Sequence, residues 1–231
     1  MIKFIKSIFG GVIYMKRELY KYFKLVIGCI IGSFGMVIIM KSNIGSSPWL
    51  VFHQGLGMEL GISIGTAMML VNIILLIVGW RLGELFGSGT IINAIVFSSM
   101  MDFIINNNII PSGINLFSGI VMTLLGTVIL SLGIYMYLHN GLGCGPRDAL
   151  MVGLVKTTGK SVKMIRSTIE ISVLIIGYFM GGIVGVGTII YAIIIGYLVQ
   201  FMFKFFKFNI NELKQRTIKE EFILLKNYIV N

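Results

Sequence analysis

The sequence predicts an all-α integral membrane protein of six transmembrane helices. They form two inverted-topology three-span repeats, each with a short Gly/Pro-initiated half-helix or interfacial helix. Three observations carry the prediction. Of 231 residues, 56% are hydrophobic and 12% charged, about half the charged fraction of a soluble domain, and mean hydropathy is +0.94. Lysine and arginine cluster on alternate connections. The chain also aligns with itself at an offset of 98 residues.

Residues 1–24 read as a basic amphipathic N-terminal cytoplasmic arm on the inner leaflet. Their apolar stretch is short, broken by lysines and followed by no small-residue cleavage site, which excludes a signal peptide. Six apolar segments follow, near 25–40, 64–80, 89–107, 116–138, 164–180 and 187–203. A span needs about 20 residues at 1.5 Å each. The first membrane repeat covers 25–107, the second 116–203, and 204–231 form a basic cytoplasmic tail. With a cytoplasmic N-terminus, 18 of the 19 Lys and Arg fall inside and only Lys41 falls outside, as the positive-inside rule requires. The expected location is the plasma membrane, multi-pass, with both termini cytoplasmic. The net charge of +10 then reflects topology and contact with anionic membrane lipid, not nucleic acid, which calls for a basic face with base-stacking groups. Two cysteines, Cys29 in an apolar run and Cys144 in a glycine loop, make no disulfide framework, and no zinc ligand set is present. No cofactor is expected.

Between 28 and 103, 23 of 76 positions are identical at the 98-residue offset. Chance would give roughly 6 or 7 in so Ile- and Gly-rich a chain, so the repeat reads as a duplication. The matches fall on backbone-special residues, among them Gly28/Gly126, Gly35/Gly133, Gly45/Gly143, Pro48/Pro146 and Gly61/Gly159, and "GSGTIINAI" answers "GVGTIIYAI". An odd number of spans per copy makes the copies upside down relative to each other, the architecture common among secondary transporters. In "NIGSSPWLVFHQGL" and "GLGCGPRDALMVGL" the glycines, Gly45 in one copy and Gly143 and Gly145 in the other, allow a tight turn. Pro48 or Pro146 then stands at the first helical position. Ser46 and Ser47 are candidate caps in copy one, where copy two has only glycine. About 12 residues to Gly61 or Gly159 make a helix of about 18 Å, too short for the hydrocarbon core, hence re-entrant or interfacial.

These motifs, with "TGKSVKMIRSTIEISVLIIGY" and "GGIVGVGTIIYAIIIGYLVQ", resemble the bacterial YczE/YyaS/YitT-type membrane protein family, in its YczE-like branch, over about residues 20 to 205. The resemblance implies a multi-pass plasma membrane protein and little more about activity. Relatives tend to carry Asp after "SPW", where this chain has Leu50. Asp148 is thus the aspartate to consider.

Ionisable residues inside spans mark function or a paired structural role. Glu170 lies roughly 12 Å into the fifth span at 1.5 Å per residue, with Arg166 one turn before it and Asn72 at the matching place in copy one. Two readings stand side by side: a cavity wall that binds a polar solute or carries a proton, and a buried Arg166–Glu170 clasp that locks the bundle. Arg147 and Asp148 open the second short helix, where free backbone N–H groups and Arg147 could accept an anionic group. The alternative has Asp148 steadying the helix start and Arg147 anchoring at the cytoplasmic face. Trp49 and Trp80 read as interfacial anchors, Lys156 as a headgroup contact, Asp102 and Gln200 as markers of membrane borders, and His53 and His139 as packing or interface residues. No nucleotide-binding G-x-x-x-x-G-K-[ST] and no catalytic constellation occurs, so an enzyme is not expected. The leading expectation is a carrier, or the membrane-embedded binding subunit of one, for an unknown small polar solute. Its site would be Asn72, Arg147, Asp148, Arg166 and Glu170, its energy coming from a gradient or a separate ATPase. The other expectation is a non-transporting scaffold or accessory protein that assists a partner membrane protein.

Overall fold

A computed structural model describes residues 2–143, 145–209 and 213–230, and these form helices and connecting turns without a strand. Cys144 lies outside the described residues. Helix α1 (Ile2–Lys41) runs unbroken through residue 24. Residues 12–27 contain neither glycine nor proline, and the helical hydrogen-bond ladder carries straight through the change from basic to apolar sequence. There follow α2 (Pro48–Leu60), α3 (Ile64–Arg81), α4 (Ser88–Asn106), α5 (Leu116–Leu138), α6 (Pro146–Thr158), α7 (Val162–Phe179), α8 (Val186–Phe205) and α9 (Ile218–Val230). Among the described residues five helices are long and apolar enough to cross a membrane: α1 from Met15, α3, α4, α5 and α8. Helix α7 has the 18 residues of α3 but carries Lys163, Arg166 and Glu170.

The two halves share one backbone. Helices α6, α7 and α8 each start 98 residues after α2, α3 and α4. The left-handed turn residues recur at the same offset: Gly45 and Gly143 both at φ 116, Gly61 and Gly159 at 64 and 67, Gly83 and Gly181 at 85 and 91. At Gly45 and Gly143 a side chain would be strained whatever the space around it.

The centre of the molecule is an antiparallel crossing of α1 and α5. A Cβ on Gly35 would stand 2.6 Å from the Gly126 carbonyl oxygen, and one on Gly133 would stand 2.5 Å from the Gly32 nitrogen and 2.7 Å from the Gly28 oxygen. Glycine lets the backbones approach this closely. The pairing is reciprocal: Gly28 meets Gly133, and their counterparts Gly126 and Gly35 meet each other. Beside the crossing, Met36, Val37, Ile39, Leu50, Met68 and Met101 form the main apolar core. The turns exchange in the same way. The Gly187 N–H donates to the Ile44 carbonyl at 2.7 Å, and the Gly89 N–H donates to Leu142 at 2.8 Å. Each half thus holds the other half's turn.

One pair breaks the match. Helix α3 packs along α4, where the Asp102 carboxylate accepts from the Ser63 hydroxyl and, at 2.7 Å, from the Gly65 N–H. Asp102 therefore ties two helices together and does more than mark a border. Helices α7 and α8 diverge and barely touch. Ser98 on α4 is fully buried, whereas its counterpart Gly196 on α8 has open space around it.

Gly133→Ala is expected to cost about 1–3 kcal/mol by overpacking the crossing. Gly196→Ala should be neutral or stabilise by up to about 1 kcal/mol through helix propensity. Thermal unfolding in detergent compares the two, and equal midpoints would contradict the close crossing.

Candidate functional site

The two short helices begin facing each other. At α2, Ser47 is the N-cap, its hydroxyl oxygen accepting from the Leu50 N–H at 3.3 Å, and Pro48 occupies the first turn. At α6 the N-cap is Gly145, with no side chain to donate or accept, followed by Pro146, and Asp148 lies in the first turn. The Arg147 guanidinium lies over the Trp49 ring, 4.7 Å from its centroid. Trp49 and Arg147 are counterparts at the 98-residue offset. The two helix starts thus meet at this contact.

Around that contact opens a cavity of about 780 Å³. Asn72, Arg147, Asp148, Arg166 and Glu170 all line it, as do Pro48, Gly145 and Pro146. Gly45 and Gly143 stand behind the wall and shape the turns: Gly45 packs against Gly185 and Thr188, and Gly143 against Gly87 and Thr90. Asn72 is 5% exposed, and its side chain meets no hydrogen-bond partner among the described residues. Arg166 Nε lies 3.4 Å from Glu170 Oε1, with the two side chains 64% and 38% exposed. The pair opens onto the cavity, so it is not the buried clasp considered above. Asp148 lies within electrostatic range of Arg166 and then Arg147.

The wall contains residues that sequence reading assigned elsewhere. Trp49 is 8% exposed beneath Arg147, not an interfacial anchor; Trp80, at 63%, remains compatible with that role. Gln200 lines the cavity, together with Ser47, Tyr137 and Tyr191. Tyr191 had a legible signal: it is the one polar difference between "GTIINAI" and "GTIIYAI", and its counterpart Asn93 also lines the cavity. His53 is fully buried and stacked on the Trp49 ring, which leaves packing and removes the interface alternative. His139 packs on Tyr135 and Phe208. Lys156 pairs with Glu84 at 2.7 Å.

The tail closes one end of the cavity. Leu213 and Gln215 join the lining, and Gln215 Oε1 accepts from the Gly143 N–H at 2.9 Å. The Arg216 N–H donates to the Gly141 carbonyl at 2.9 Å, while its guanidinium reaches Glu18 on α1 at 2.7 Å. Glu221, 8% exposed, accepts from the Ser88 N–H at 3.3 Å. Residues 213–221 are thus a strap across the turn that leads into α6.

All of this defines a multi-pass α-helical membrane protein with a cavity whose largely apolar wall carries a few polar and charged groups. The chain belongs to a family of unknown function (DUF6198), whose pattern matches residues 19–204. It is 37% identical over 164 residues to an uncharacterized protein of Haemophilus influenzae, covering 71% of this chain and 74% of that one. It is 32% identical over 194 residues to the uncharacterized membrane protein YczE of Bacillus subtilis, covering 81% and 87%. The uncharacterized protein YyaS of the same organism is 25% identical over 174 residues, covering 74% and 86%. The YczE-like resemblance read from the motifs agrees with these matches. No solved structure matches the chain.

The strap gives a pH prediction. The Thr217 backbone N–H, helped by Lys214, holds Glu220 below the usual carboxylate range. Its contribution to holding the start of α9 is present above the ordinary carboxylate pKa and is lost as pH falls through the lowered value. Limited proteolysis within 213–217 should therefore rise on acidification through that window, and rise less in Glu220→Gln; an unchanged profile in the variant would contradict it.

Proposed function

We propose that this protein is a carrier, or the membrane-embedded binding subunit of one, for a small polar solute bound in the cavity. The observation that carries the reading is convergence. Polar and charged groups from both halves, Asn72 from one and Arg147, Asp148, Arg166 and Glu170 from the other, line a single cavity at the meeting point of two short helix starts. Intramembrane charge of this kind is expensive and is kept where function needs it. In this reading α1–α4 and α5–α8 are inverted repeats, and the antiparallel α1–α5 crossing supports it. Helix α7 is the sixth span, its Arg166 and Glu170 turned to the cavity. Helices α2 and α6 are re-entrant, since their starts meet instead of lying at separate surfaces. Both termini face the cytoplasm of a bacterial cell, and the energy comes from a gradient or a separate ATPase.

Alternating access follows from the pair that breaks the match. Helix α3 is closed on α4 while α7 stands away from α8, and the cavity runs along α8 to the strap, the cytoplasmic end in this orientation. Exchanging the two arrangements between the halves closes α7 on α8, opens α3 from α4 and turns the cavity to the other side.

Cysteines at Ser63 and Asp102 should cross-link in the state described here, and the counterpart pair at Ser161 and Gln200 only in the opposite state, so a transported solute shifts yield between them. Full cross-linking of both pairs in the same molecules would contradict the exchange. Solute uptake is the direct assay: proteoliposomes screened against a broad metabolite set should accumulate at least one polar solute, and neither uptake nor binding of any would defeat the proposal.

A further inference from the structure

We infer that the cavity recognises its solute by an anionic oxygen group, of the carboxylate class, held between the Arg147 guanidinium and the Asn72 amide. The inference rests on the solute-binding reading above and narrows it to a ligand chemistry.

Each charge in the wall can be asked what answers it. Arg166 has Glu170 on its own helix, at 3.4 Å. The start of α6 has Asp148 in its first turn. Helix α2 has no such carboxylate, because Leu50 occupies the corresponding place. Its N-terminus carries about half a positive charge, and Ser47 satisfies the Leu50 N–H without adding negative charge. Arg147 lies over the Trp49 ring, which holds the guanidinium by its face and leaves the in-plane N–H donors free to point elsewhere. Asp148 and Glu170 lie within electrostatic range of Arg147, yet among the described residues neither pairs with its guanidinium, whose donors meet the positive end of α2 at this contact.

Asn72 supplies the independent observation. It is 5% exposed and lines the same cavity, yet no group among the described residues bonds to its side chain. Its amide atoms are not among the fully enclosed, unpartnered ones; they open onto the cavity, where the amide N–H donors would meet a ligand oxygen. Trp49 packs against Val71, the residue before Asn72, so amide and guanidinium belong to one stretch of wall. A planar carboxylate suits this place because a guanidinium binds it through two parallel hydrogen bonds. A cationic group would instead meet Arg147 and the α2 terminus with like sign.

The test uses the purified full-length protein and four probes of matched size: propionate, alanine, propionamide and propylammonium. Thermal stabilisation is read as a function of probe concentration. Propionate and alanine, which share the carboxylate, should stabilise; propionamide and propylammonium should not. Arg147→Gln should weaken propionate binding about tenfold or more, the scale of a charged hydrogen bond. Arg147→Lys should recover part of that loss by keeping the charge. Asn72→Leu, which leaves the charges in place, should weaken binding several-fold, so the inference does not hang on one variant folding. Stabilisation by propionamide or propylammonium equal to that by propionate, no stabilisation by either carboxylate, or unchanged binding in both Arg147→Gln and Asn72→Leu would overturn it. The two proposals fail separately. Uptake of a solute that lacks an anionic group would leave the carrier and remove this ligand class. Carboxylate binding without uptake of anything would leave the site, remove the self-sufficient carrier and retain only the binding subunit.

Discussion

The structure depends on how closely two long helices approach at its centre. Where α1 crosses α5, the positions facing the partner backbone are Gly28, Gly35, Gly126 and Gly133, and a single added carbon at any of them would meet the other helix at under 3 Å. In lipid no hydrophobic force draws apolar helices together, so close packing of this kind has to do it. The crossing brings α1 and α5, and the turns that follow each of them, into one packed centre. The Ile44 and Leu142 carbonyls, which need donors away from water, find them on the opposite half at Gly187 and Gly89. Neither half's turn is complete alone.

From that frame the site follows with few further requirements. Two proline-started helices are brought start to start, and whatever stands second in each meets its counterpart. Had both copies kept the same residue there, the contact would be a like pair. The chain instead sets Trp49 against Arg147, and at the same offset in sequence it has Leu50 for Asp148 and Asn72 for Glu170. The crossing and the turns are held by positions that match between the halves, while the cavity wall carries positions that differ. The mismatch extends to conformation: Asp102 binds α3 to α4, while Gln200 at the matching place faces open cavity.

Much of this was legible in the sequence, because backbone-special residues announce geometry directly. The glycines and prolines at the 98-residue offset marked the helix starts and the tight turns before them, while the crossing that Gly28, Gly35, Gly126 and Gly133 make appears only in the fold. Asn72, Arg166 and Glu170, read as polar within spans, and Arg147 and Asp148, read at a helix start, all line one cavity. What stayed hidden depended on distances across the fold. Trp49 looked like an interfacial anchor because an aromatic residue next to a turn usually is one, and only the opposing Arg147 makes it a buried platform. The continuity of α1 was obscured by its change in composition, to which the backbone ladder is indifferent. The strap was hidden most completely. A basic tail reads as a solvated one, and nothing local to Gln215 or Arg216 indicates that Gly141, Gly143 and Glu18 wait for them.

The central claim is that the two halves are inserted with opposite polarity. The last residues of the short helices, Leu60 and Thr158, are exposed counterparts, so a cysteine at each reports the side on which its half-helix ends. With Cys144 replaced by serine and the buried Cys29 retained, a membrane-impermeant thiol reagent is applied to intact cells and to inverted vesicles. Leu60→Cys should label from the outside alone and Thr158→Cys from the cytoplasmic side alone. Labelling of both from one side would contradict the opposed halves, and the shared central cavity built on them.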